Sequence, residues 1–212
     1  AVISARAQFL MREETHPRRR RELGVIHTQA LRVTEMISDM MLFARPPEPE
    51  RERLDLSACV AEWSRDWQAR ADEAGVRLES TAQAEPVWVT ADVVQLRVAV
   101  GAIVQNSLEA AGEGGSVRID VAEDGSPVER VLVRVQDDGP GLPDEVRRHV
   151  FDPFYSGRQA GRGIGMGMSK CWRIVQLHGG DVTIHAPSGG GTEVAIALPV
   201  AAVEAHAIRR SA

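Results

Sequence analysis

Residues 131–180 read VLVRVQDDGPGLPDEVRRHVFDPFYSGRQAGRGIGMGMSKCWRIVQLHGG. Two glycine-rich turns, DDGPG at Asp137–Gly141 and GRGIGMGM at Gly161–Met168, flank an aromatic and proline-bearing segment, FDPFYSGR at Phe151–Arg158. Glycine is needed where a backbone takes positive φ or comes within hydrogen-bonding distance of a ligand, so two such turns around one segment suggest a lidded pocket. The ligand this arrangement points to is a nucleotide. DDGPG follows a strand pattern, which sets Asp137 at a strand end where side chains line clefts. Gly139 and Gly141 let a flat ring approach, and the Asp137 carboxylate can accept from an exocyclic amine, selecting adenine over guanine. GRGIGMGM opens a helix, and free amides at a helix start form an anion site suited to phosphates. It has neither the GKS/GKT ending of a P-loop nor a strict GxGxxG. Arg158 can reach a terminal phosphate as a charge-assisted donor. Either turn alone is also readable as an ordinary loop.

Upstream, Asp92 caps a predicted helix running to about Ala111. Ala99, Ala102, Asn106 and Glu109 fall at helical steps on one face, while Leu96, Val100, Ile103, Val104 and Leu108 form the buried side. A polar group in a row of small residues leaves room for phosphates, and the Asn106 amide oxygen can ligate magnesium. By itself Asn106 is equally a helix-surface residue beside a glutamate.

The remaining pattern predicts strands at Val76–Ser80, Val87–Thr90, Ser116–Ala122, Val131–Val135, Val182–His185 and Thr192–Leu198, with a helix capped by Ser57 and running to about Glu73 and another from about Met166 to Leu177. Trp63 and Trp67, one turn apart, read as core anchors. Mixed strands and helices suggest an α/β sandwich with helices on one face of a mixed sheet. At the start, Val2–Glu14 carries a short apolar stripe ending near His16-Pro17, and Leu23, Ile26, Ala30, Val33, Ile37, Met40 and Ala44 repeat in steps of three and four until Arg45-Pro46-Pro47. Such a helical hairpin leaves apolar surface uncovered, so pairing with a second copy into a four-helix bundle is expected. Arg18–Arg21 reads as a solvated helix start rather than an acidic-partner site. Because the sequence begins at Ala1 inside a helical pattern, it is expected to be a fragment.

The chain has 212 residues, 43% hydrophobic and 26% charged, with formal net charge −5. That suits a soluble globular protein and argues against a general nucleic-acid or membrane-surface binder. The longest apolar run, Val98–Val104, is too short to span a bilayer. Cys59 and Cys171 lack metal or CxxC spacing and read as buried, reduced thiols, which suits the cytoplasm.

Taken in order, these motifs resemble the ATP-binding domain of sensor histidine kinases, within the superfamily that includes gyrase and mismatch-repair ATPases. The resemblance spans Leu54–Pro199 and implies an α+β fold: a two-layer α/β sandwich of the Bergerat type preceded by a helical hairpin. It divides the chain into a partial dimerisation and phosphotransfer hairpin with linker (1–53), the ATP-binding domain (54–199) and a C-terminal tail (200–212). QNSLEA is similar to the N box, with Asn106 as the magnesium-binding residue. DDGPG is similar to the adenine box, FDPF to the lid's F box, GIGMGM to the phosphate box, and GGGT at Gly189–Thr192 to the last glycine motif. The likeness implies that Asp137 and Thr192 hold adenine, that Gly163, Gly165 and Gly167 wrap the phosphates, and that a lid spans Phe151–Arg162. Arg158 stands where many members carry a lid lysine.

The implied cofactors are ATP and Mg²⁺, and the implied partners are a response-regulator receiver domain and a second copy of the chain. The implied reaction carries the γ-phosphoryl in line to a histidine and then to a regulator aspartate. The family's acceptor histidine, which precedes an acidic residue and an Asn-Pro, would fall upstream of Ala1. His16 precedes Pro17-Arg18 and His27 precedes Thr28-Gln29, so both read as surface or bundle histidines and this fragment is not expected to phosphorylate itself. Ala102 stands where members usually carry Asn and the related ATPases a general-base Glu. The alternative is a non-catalytic dimeric ATP-sensing module.

Overall fold

The computed structural model describes residues 2–81, 85–124, 129–155 and 165–201. Helices α1 (Val2–Glu13) and α2 (Pro17–Ala44) form a hairpin, with Pro17 at a helix start where its missing N–H costs nothing. Ser4 and Ala7 are buried between them, and the His27 Nδ1 lies 3.0 Å from the Ser4 carbonyl oxygen.

After the prolines the chain enters β1 (Glu52–Asp55), which pairs antiparallel with β3 (Trp88–Ala91). This strand lies partly in the expected linker. Its four residues ERLD offer one apolar side chain, so only the partner strand reveals it. Helix α3 (Leu56–Ala74) is capped by Asp55, whose Oδ1 accepts from Ser57 N at 3.0 Å and Ala58 N at 3.3 Å. The expected cap, Ser57, is instead buried in the first turn with its Oγ unpartnered. A carboxylate able to take three N–H donors, including Val87 N at 3.1 Å, wins over a hydroxyl one residue later.

Strand β2 (Arg77–Thr81), helix α4 (Val93–Ala111), β4 (Ser116–Glu123), β5 (Arg130–Asp137), the short α5 (Asp144–His149), α6 (Gly167–Leu177), β6 (Asp181–His185) and β7 (Thr192–Pro199) complete the described chain. The five-stranded sheet has the order β2-β4-β5-β7-β6, with β2 and β4 parallel and the other neighbours antiparallel. Alternate residues turn Val117, Ile119 and Val121, then Val131, Val133 and Val135, toward the helices. They pack with Trp63, Trp67, Leu96, Ile103 and Ile174, and the Trp63 and Trp67 rings lie 6.3 Å apart. On the other face Arg134 pairs with Asp120 across the strands at 3.1 Å. The fold is thus a two-layer α/β sandwich with helices on one face of a mixed sheet. Among the described residues no helix is long and apolar enough to cross a membrane.

Candidate functional site

Strand β5 ends at Asp137 and β7 begins at Thr192, and the two residues are register partners across the antiparallel pair. Both are buried. Asp137 Oδ1 accepts from the N–H of Gly139 at 3.0 Å and of Thr192 at 3.2 Å, so one carboxylate closes its own turn and ties it to the GGGT turn. Gly191 takes φ +83°, and a Cβ there would collide with the Asp137 carbonyl, so the turns stack only because glycine stands there. Burial pushes the Asp137 carboxyl above its ordinary range. Hydrogen bonds from Gly139, the Ser107 hydroxyl and Thr192 pull it back, while the charge of Asp138 adds to the rise. Such a group gains from one further donor that favours its ionised form. Exposed Asp138 is held low by the Ser116 N–H and hydroxyl, at 2.8 and 2.7 Å.

Helix α4 passes behind this turn. A Cβ on Gly139 would sit 2.6 Å from the Ala110 carbonyl oxygen, one turn beyond Asn106, so α4 and the DDGPG turn are in direct contact. Asn106 is half-buried on the side facing the start of α6. A Cβ on Gly167 would lie 3.7 Å from Asn106 Nδ2 and 3.9 Å from Ala102 Cβ. The absent side chain therefore leaves a gap between Asn106 and the first turn of α6, where N–H groups have no intrahelical partner. Asn106, Gly167 and Lys170 also line a groove of about 1240 Å³ between α2 and the α3, α4 and α6 side of the domain. Among the described residues no three His, Cys, Asp or Glu side chains cluster to hold a metal.

Gly165 takes φ +70°, and a Cβ there would collide with the Tyr155 carbonyl. Its own carbonyl accepts from Phe154 N at 3.0 Å, which brings the FDPFY turn against the GIGMGM turn. Phe154 is the one non-glycine among the described residues at positive φ, +66°. Gly141 lies beside Gly191, its Cβ position 3.2 Å from that carbonyl oxygen. Asn106, Asp137, Gly139, Gly141, Gly167 and Thr192 thus line one edge of the domain, with Gly165 at the base of the segment between the turns. Arg158, Gly163 and residues 156–162 of the expected lid lie outside the described residues, as do 202–212 of the expected tail.

Three expectations are corrected. Ala99 was expected beside Asn106 on the ligand face, yet it is 0% exposed, because α4 is covered by the sheet and by neighbouring helices and its buried stripe is correspondingly wide. Cys59 is only half-buried, although burial and the charges of Asp55, Glu62 and Glu52 raise its thiol. Cys171 is wholly buried, its thiol pushed up to about 12 against the opposing charge of Lys170, so neither cysteine is a thiolate at neutral pH. The third is the α3 cap described above. Sequence reading also missed Ser107, the buried hydroxyl beside Asp137. A serine inside the apolar stripe between Val104 and Leu108 was the available signal.

Against known proteins, residues 91–202 match the family model described as histidine kinase-, DNA gyrase B-, and HSP90-like ATPase, and the chain belongs to that family. It contains an ATP-binding domain of the histidine-kinase kind. The chain is 28% identical over 201 residues to the alginate biosynthesis sensor protein KinB of Pseudomonas aeruginosa, covering 90% of this chain and 33% of that protein. It spans about a third of the length of such curated relatives. Full-length ShkA in complex with AMPPNP superposes with TM-score 0.80 at 21% identity, covering 94% of this chain and 42% of that one. Histidine kinase ThkA in complex with response regulator protein TrrA gives TM-score 0.72 at 19% identity, covering 94% and 57%. At these identities the two structures establish the shared fold.

Proposed function

We propose that the chain is the ATP-binding catalytic core of a two-component sensor histidine kinase. The observation that carries this reading is the meeting of four separated motifs at one edge of the domain: Asp137 and Gly139 from the first turn, Thr192 from the last, Asn106 from α4, and Gly167 from the start of α6. In this reading the exocyclic amine of adenine donates to the Asp137 carboxylate beside Thr192. The phosphates lie along Gly163, Gly165 and Gly167 against the start of α6, with Arg158 as a lid cation. Asn106 presents its amide Nδ2 at the position a side chain on Gly167 would take, and with the amide turned over its oxygen would hold Mg²⁺ there. That ion would offset phosphate charge while taking its other oxygens from phosphate and water, which suits a site whose described residues hold no carboxylate cluster.

Catalysis in such a site is mostly positioning and charge neutralisation. Stacked turns hold adenine while the α6 start holds the phosphate chain, which aims the γ-phosphoryl away from the domain toward a histidine on a helical hairpin. A response-regulator receiver domain then takes the phosphoryl on aspartate, a partner class supported by the fold shared with ThkA, which is solved with its regulator. The seam of α2, left uncovered by the described residues, supports pairing of two hairpins. The test is transfer of label from ATP to a separately supplied acceptor-histidine hairpin, with Asn106→Asp expected to change the magnesium dependence of nucleotide binding. Absence of transfer alongside intact ATP binding would favour the second reading, a nucleotide-sensing module. Ala102 favours that second reading, since it puts a methyl group rather than a general base beside the α6 start.

A further inference from the structure

A hydroxyl in the apolar stripe of α4 has a use that helix packing does not explain. Ser107 lies between Val104 and Leu108 and is 3% exposed, a place where a polar group without a partner would cost stability. Its hydroxyl donates to the Asp137 carboxylate, itself 4% exposed. Asp137 Oδ1 already accepts the N–H groups of Gly139 and Thr192. A carboxylate offers about four acceptor positions, so these donors leave roughly one for a ligand. Each donor sits on a different element, the turn after β5, the start of β7 and the middle of α4, and together they fix how the carboxylate is turned. Helix α4 is held against that turn at the same place, where a Cβ on Gly139 would meet the Ala110 carbonyl oxygen at 2.6 Å.

Burial and the charge of Asp138 favour the neutral acid of Asp137, while its three donors favour the ionised form. Asp138 is the charged group facing it. Val117 from β4, Thr192 from β7, and Ser107 and Ala110 from α4 are uncharged. Glu193 follows Thr192 onto the opposite face of β7, and Glu109 is exposed on α4. Of the three donors only the hydroxyl belongs to a side chain, so it is the one that a substitution removes.

The form of the carboxyl decides which base is recognised. An ionised carboxylate only accepts, and it matches the 6-amino group of adenine; the acid also carries an O–H donor, which matches a 6-oxo purine. We propose that Ser107 is a positioning residue for the base: by holding Asp137 as an acceptor, it makes the site take 6-amino and refuse 6-oxo purine nucleotides. This rests on the nucleotide reading given above. Without the hydroxyl, burial and Asp138 are less opposed, so the acid form arises at higher pH and base selectivity is lost there.

Calorimetry across pH with ATP and with inosine triphosphate, a 6-oxo purine nucleotide, reads that selectivity. The ratio of the two affinities follows the ratio of ionised to acid Asp137, so in the parent it should fall as pH falls. In Ser107→Ala it should be roughly tenfold below the parent's at the same acidic pH, the effect of losing one hydrogen bond to a charged group. Ser107→Thr, which keeps the hydroxyl, should restore the parent profile. Ser107→Cys, close in size with a weaker donor, should fall between parent and Ser107→Ala. A merely structural role would weaken both nucleotides alike at every pH. That outcome, or an unchanged ratio in Ser107→Ala and Ser107→Cys, overturns the proposal. Carbon-13 NMR of the Asp137 carboxyl in the nucleotide-free chain, assigned with Asp137→Asn, tests the hold of Ser107 separately. The carboxyl should titrate at higher pH in Ser107→Ala than in the parent, and coincident curves overturn that hold whatever the site binds. A parent that binds neither nucleotide overturns the nucleotide reading and the selectivity with it, while the titration still decides whether Ser107 holds Asp137.

Discussion

The helical hairpin and the sandwich domain carry equally regular apolar patterns, and they end in opposite states. In α2, Ile26, Val33, Ile37 and Met40 remain 44% to 53% exposed, whereas Val117, Ile119, Val121, Val131, Val133 and Val135 in the sheet are 2% exposed or less. Periodicity says which face seeks burial; it does not say whether the same chain supplies the cover. The sheet is covered by α3, α4 and α6 from its own sequence. Among the described residues nothing covers the seam of α2, and an apolar stripe of this length supports the proposal that a second copy completes it.

The sharpest way to break this contrast is mutation of matched apolar residues. Ile103→Ala, beneath the sheet at 0% exposure, should lower unfolding free energy by about 2–5 kcal/mol. Ile37→Ala in α2 should cost less than about 0.5 kcal/mol at concentrations where the chain is monomeric, and should act instead on self-association. Denaturant melts showing equal losses would end the distinction between a closed core and an open seam.

Next in size is Asp137→Asn, which should weaken ATP binding roughly ten- to a hundredfold, the loss of a charged hydrogen bond of about 1.5–3 kcal/mol. Calorimetry reads it, and unchanged affinity would remove Asp137 from the adenine site. Because burial raises the Asp137 carboxyl, ATP affinity of the parent should fall with decreasing pH at values above those of a free carboxyl, and the Asn variant should lack that fall. For the fold itself the sign is opposite: a raised carboxyl contributes stability below its unfolded value and loses it as pH rises through the folded one.

Asp92 behaves in the reverse sense. Burial pushes its carboxyl up, but N–H donors from Gln95, Glu50 and Val94, with a contribution from His178, bring it below the ordinary range. Its stabilisation is present above the unfolded value and lost as pH falls through the lowered folded value. Asp92→Ala should therefore cost about 1–2 kcal/mol at neutral pH, with the gap to the parent closing in acid, read by thermal melts across pH. The smallest effect belongs to the Arg97–Asp66 pair at 2.6 Å, whose side chains are 49% and 52% exposed. Arg97→Ala should change stability by less than about 0.5 kcal/mol, although its bond is as short as that of the shielded Asp39–Lys170 pair.

Much of the domain was legible because its signals are local. Alternation marked the strands of the main sheet, Asp92 marked a helix start, and the glycines marked the turns around Asp137. What escaped depended on partners distant in sequence. The strand at Glu52–Asp55 exists through pairing with Trp88–Ala91, and Asp55 outcompetes Ser57 as a cap because Val87 supplies it a third donor. Ala99 looked like a neighbour of Asn106 on a helix wheel, but the wheel does not record that α4 is covered on more than one side. The hydroxyl of Ser107 next to Asp137 has the same origin, since the two residues lie thirty positions apart.

By itself the sequence determined the classes of element and the residue types a nucleotide site needs, because propensity, periodicity and positive-φ glycines act within a few residues of the chain. The tertiary structure alone decided how those parts meet: that Thr192 lies opposite Asp137, that the missing side chain of Gly167 faces Asn106, and that Lys170 reaches Asp39 across an open groove. Those relations are set by strand register and helix packing, in which groups far apart in sequence are brought within bonding distance.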